Sequence, residues 1–131
     1  MTPFSSLATA LRHHARDIYH LEAAAELIIA GPWLHQTDFT RDFLTTSSSL
    51  NDGRRTASID WPAAIASLDN GELPCSGGER RMLRLTASLA NGIPVDLREA
   101  LTGIDNRNTQ LLIHAVLHTS GRPHPARHDH F

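Results

Sequence analysis

With 131 residues, 40% of them apolar, and a net charge of −2, the chain has room for one domain with a real core and lacks the broad positive charge of a nucleic-acid-coating protein. All twelve positive charges are arginines, which excludes Schiff-base chemistry, a lysine general base and a Walker A lysine. A single cysteine excludes an internal disulfide, and no run approaches the ~18 apolar residues of a membrane span. With His13, His14, Arg16 and Asp17 interrupting any apolar leader, the expectation is a soluble, cytoplasmic protein with no membrane partner.

The first element begins near Leu7. Apolar residues fall at Leu7, Leu11, Ile18, Leu21, Ala25 and Ile28, the alternating four-three spacing of a helical seam when His14 fills the missing slot. This predicts one long N-terminal helix, stopped by Gly31-Pro32, whose seam also offers a surface for a homodimer. His14 on that seam reads as a hydrogen-bonded core or edge histidine. Thr37 is placed to cap a second helix, with Phe39 and Phe43 on one face. From Thr45 to Arg55 the chain is polar and rich in Ser and Thr, ending in Asn51-Asp52-Gly53, which reads as a flexible loop and hinge.

Asp60 caps a third helix with Pro62 in its first turn, and Asn70-Gly71 ends it. Ser76 with Glu79 forms a capping box for a fourth helix that stops at Asn91-Gly92. Asp96 with Glu99 opens a short helix that ends by Gly103. Asp105 caps the last helix, Asn106 to about Thr119, which Gly121 ends. No window alternates β-branched residues with period two, so no sheet is expected. The fold class is therefore all-α: a compact bundle of about five or six helices over residues 1–121, with a mobile C-terminal tail at 122–131. Trp33, Phe39 and Trp61, near helix ends, are the candidates for an exposed apolar patch.

Four patterns carry chemistry. Cys75-Ser76-Gly77-Gly78-Glu79-Arg80-Arg81 satisfies C-x-x-G-x-x-R and resembles the phosphate loop of cysteine-dependent phosphatases. The resemblance implies a thiolate at Cys75, lowered in pKa by the helix start, and a phosphate clamp at Arg81. That loop follows a buried strand, however, and Glu72-Leu73-Pro74 does not read as one; Ser76 and Glu79 are accounted for as a helix cap. Ser76 to Arg80 is also similar to the signature motif of ABC-type ATPases, which works only with the Walker A loop this chain lacks.

Arg107 and Asn108, with His114 separated from Arg107 by six intervening residues, resemble the Arg–His motif of HEPN domains, helical modules that are often ribonucleases. That resemblance implies Arg107 on the scissile phosphate and His114 as general acid–base. Arg122 and His128, with five residues between them, also satisfy the motif's loose spacing in the tail. His114 and His118 stand four apart, a spacing that can hold zinc from one face, with His20 or Glu22 as third ligand; a solvated polar face is the simpler reading, and Leu112, Ile113, Val116 and Leu117 are assigned to the core side. His124, His128 and His130 in the tail offer only adventitious metal ligands.

Finally, Arg80, Arg81 and Arg84 gather in the first two turns of the fourth helix, where the macrodipole favours acids. That points to a binding role, toward an anion or an acidic protein surface or, through a helix-turn-helix-like arrangement, toward nucleic acid. No candidate shows the convergent polar groups of a catalyst, and no cofactor or metal is expected. The sequence thus reads as a non-enzymatic interaction or regulatory protein with a protein partner; the alternatives are a HEPN-like ribonuclease and a DNA-binding regulator.

Overall fold

The computed structural model describes residues 3–48 and 53–121 of the chain. The expectations for the Asn51-Asp52 turn and for residues 122–131, including His124, His128 and His130, lie outside the described residues. Helix α1 spans Pro3–Ala15 and α2 spans Tyr19–Ala30, followed by a single 3-10 turn at Trp33–His35 and α3 at Thr37–Phe43. Strands β1 (Leu44–Ser48) and β2 (Arg55–Ile59) precede α4 (Trp61–Asp69), α5 (Gly77–Asn91), α6 (Leu97–Leu101) and α7 (Asn106–Thr119). Among the described residues the architecture is a mostly helical bundle, as the cap and period signals require.

The caps form where the side chains predict them. Asp60 accepts from the Ala63 N–H, Asp96 from those of Arg98 and Glu99, and Asp105 from that of Asn108. Ser76 and Glu79 close a reciprocal capping box, and Gly92 ends α5 at φ 70°, a left-handed position that suits glycine. Helix α3 is the exception: Gln36 is its N-cap and makes no side-chain cap bond, so Thr37 lies one residue inside.

Three features depart from the sequence reading. The long first helix is broken at residues 16–18, and Asp17 adopts φ 70°. The chain then turns so that Arg12 meets Glu26 at 2.8 Å, and Leu11, Ala25 and Ile28 bury one another inside the same cluster. The seam expected to serve a homodimer is thus consumed within one chain. Ile18, counted on that seam, lies exposed in the turn.

The second departure is a small sheet where a polar loop is expected. β1 and β2 pair antiparallel with Leu44 opposite Ile59 and Ser48 opposite Arg55. Only Ala57 is fully turned inward, so period-two alternation is too short to register in the sequence. The hairpin is held by docking: β2 lies along α1, where the Nδ1–H of His13 donates to the Arg55 carbonyl at 3.2 Å.

Third, the tryptophans expected near an exposed patch are buried. Trp33, Phe39 and Phe43 form a chain of rings with successive centroids 5.3 Å apart, and Trp61 is 8% exposed. Gly31 makes room for this: a Cβ there would stand 3.0 Å from the Trp33 indole.

The left-handed Asp17 generates a stability prediction. Its hydrogen bond to Glu22 Oε2, at 3.1 Å, is made by the backbone N–H, which a glycine keeps, whereas a β-branched residue is strained at φ 70°. Asp17→Val is expected to cost about 1–2 kcal/mol, and Asp17→Gly to cost nothing or to stabilise by a few tenths. Urea titrations of the two variants check this; equal losses would contradict the turn geometry.

Candidate functional site

On α5 the spacing of Gly77, Arg80, Arg81 and Arg84 places all four on one face. That face meets Pro94, Val95, Asp96, Glu99 and Ala100 across a cleft of about 290 Å³. The three sequence-selected arginines are therefore brought together. Acids come with them: Asp96 and Glu99 stand on the opposite wall, and Arg84 is held by Asp69 at 2.7 Å. Glu79, the one carboxylate in the first turn of α5, is used by the capping box, and the acids near the arginines come from neighbouring elements. The cleft can hold a ligand bearing both charges as readily as a simple anion.

Cys75 is half-buried against the main core and does not line that cleft. Burial pushes its thiol above the ordinary range; the Arg80 charge opposes this, while the Glu79 carboxylate adds to it. This is the reverse of an activated thiolate.

Helix α7 lies along α2 in the opposite direction, which its end contacts define. At one end Arg107 Nη2–H donates to the Ala30 carbonyl at 2.9 Å, satisfying the C-terminus of α2. At the other, Nε2–H of His118 donates to Oε1 of Glu22 at 2.8 Å, and the Tyr19 ring meets the His118 ring edge-on. Glu22 thereby falls below the usual carboxylate range, chiefly through the His118 hydrogen bond. Of the two residues considered as third ligand beside His114 and His118, Glu22 does reach His118, but no group of three or more ligands that could hold a metal gathers among the described residues.

The HEPN-type residues do not share one cleft. Arg107 and Asn108 line a cleft of about 460 Å³ between the ends of α2, α5 and α7, and the Asn108 N–H is used by the Asp105 cap. His114 is exposed two turns further on and does not line that cleft. His14 and His20 face a separate cavity of about 270 Å³ with Leu21 and Trp61, so His14 is an edge rather than a core residue.

Helix α7 turns a different face inward from the one its apolar spacing predicts. Its core side is Leu111, Leu112 and Ala115, packed with Ala23, Leu27, Met82, Leu85 and Ala100. Ile113 and Val116, expected inside, are 43% and 63% exposed. At about 100° per residue, Leu111 to Leu117 spread apolar side chains over more than half the helix circumference, more than one packing face can cover. That width was the available signal. Leu97 and Leu101 of α6, which packs on the same cluster through Ala100, are exposed as well. A half-covered apolar helix of this kind can associate with another helix. No helix among the described residues is long and apolar enough to cross a membrane. Comparison with protein-family models, curated proteins and solved structures finds no match to this chain.

Two measurements follow from these geometries. Alkylation of Cys75 by iodoacetamide is expected to be slow at neutral pH and to accelerate only above the ordinary thiol range; fast alkylation at neutral pH would contradict the burial effect. The folded-state pKa of Glu22 is lowered, so its contribution to stability is full above the unfolded carboxylate pKa and is lost as pH falls through the folded value. Glu22→Gln is therefore expected to destabilise at neutral pH, with the gap from wild type closing in acid below the usual carboxylate range. Urea titrations across pH check the sign.

Proposed function

We propose that this chain is a non-catalytic interaction protein that associates with a partner polypeptide through the uncovered flank of α7. The single observation that carries this reading is Val116, 63% exposed at the centre of an apolar arc on a helix whose opposite side is packed into the fold. The polar residues bordering it, Thr109, Gln110 and Ser120, are uncharged, so the fitting partner is an amphipathic helix with a neutral apolar face. The balanced charges around Arg80, Arg81 and Arg84 favour polar contacts at a rim over strong attraction to a polyanion.

The test uses the full chain. A photo-crosslinking side chain is placed at Val116, and the same group at the exposed Arg41 on α3 serves as control. Irradiation in the cells that make the protein is expected to give a discrete heavier adduct from position 116 and none from position 41. No adduct from position 116 would end this reading.

A further inference from the structure

We infer that the helix seated on the α7 flank is α7 of a second copy of this chain, laid antiparallel across a two-fold axis. The inference rests on the interaction reading above and names its partner.

The exposed side of α7 carries a pattern that matches itself. Thr109, Ile113, Val116 and Ser120 follow four-three-four spacing, the seam geometry of a helix that packs against another helix. Read backward, the order is again hydroxyl, β-branched, β-branched, hydroxyl. An antiparallel copy in register about the midpoint of that seam therefore sets Ile113 opposite the partner's Val116 and Thr109 opposite the partner's Ser120. Leu117 borders the seam on one side and Leu112, itself packed against the second cluster, on the other. A two-fold interface requires this reciprocity, because residue i must suit j and j must suit i.

Charge makes the same case. Residues near a two-fold axis meet their own copies, so a charge there faces its like. The arc from Thr109 through Val116 and Ile113 to Leu117 and Gln110 carries none, in a chain that is 20% charged. The only arginine on the helix, Arg107, is turned toward the end of α2.

The segment that directly follows α7 is a poor occupant by comparison. Residues 122–131 bring one large apolar side chain, Phe131, among three histidines, two arginines and an aspartate. Most of the apolar seam shared by α1 and α2 is already taken up in the main cluster. A second α7 is the occupant whose chemistry fits.

Sedimentation velocity on the purified full chain over a concentration series tests this. Wild type is expected to pass from monomer to dimer. Ile113→Glu and Val116→Lys, both at exposed positions, are each expected to lose the dimer while keeping wild-type circular dichroism and melting temperature. An equimolar mixture of the two variants is expected to recover it, since the new carboxylate of one copy then faces the new ammonium of the other. Recovery on mixing cannot come from misfolding.

A wild-type chain that stays monomeric, a dimer that survives both substitutions, or a mixture that stays monomeric would each overturn the inference. The photo-crosslink at Val116 separates the two levels. An adduct with a different polypeptide overturns the second copy and leaves the interaction reading standing; no adduct ends both.

Discussion

The rest of the structure depends on α2 being thin. Ala23, Ala24 and Ala25 sit in succession on this helix, and small side chains let neighbouring helices approach its axis closely. Ala24, Ala25 and Ile28 belong to the main cluster with α1, α4 and the aromatic chain, while Ala23 and Leu27 belong to the second cluster with α5, α6 and α7. With α5, which likewise gives Leu83, Ala87 and Ala90 to one cluster and Met82 and Leu85 to the other, α2 forms the wall between two apolar cores. Because it is shared, the placement of α1 and of α7 is set by the same twelve residues.

The two cores are unequal, and the inequality directs the functional reading. The main cluster is enclosed by α1, α3, α4, α5 and β2 as well as α2, and it contains both tryptophans. The second is roofed by α7 and the single turn-and-a-half of α6, which cannot cover all the apolar residues they bring. Leu97, Leu101, Ile113 and Val116 remain outward for that reason. An apolar arc wider than its packing site is what a helix with a second packing partner looks like in isolation.

Polar pairs then fix how elements sit against that wall. Arg12 with Glu26, Glu22 with His118 and Arg107 with the Ala30 carbonyl all join α2 to α1 or α7. Such partly exposed pairs contribute little free energy individually, but their directionality selects one orientation of helices whose apolar contacts alone permit several. Arg84 with Asp69 does the same for α5 and α4. The candidate site was legible in part for this reason: i, i+3, i+4 spacing alone places Arg80, Arg81 and Arg84 on one face, whereas Asp69, Asp96 and Glu99 reach them only through the packing of separate elements.

The sequence by itself determined the helix starts and stops: Asp60, Ser76 with Glu79, Asp96 and Asp105 at the starts, Gly71, Gly92, Gly103 and Gly121 beyond the ends. Those are interactions between residues a few positions apart, so their free energy is settled before the chain folds over itself. Tertiary structure alone decided the break at Asp17, the β1–β2 pairing, the burial of Trp33 and Trp61, and the face that α7 turns inward. Each of these is a competition among packings of similar local energy. For α7 the apolar arc offers several faces, and Ala115 is the one narrow enough to lie against the alanines of α2. Spacing along the chain states how wide an apolar face is; only the partner's shape states which part of it is covered.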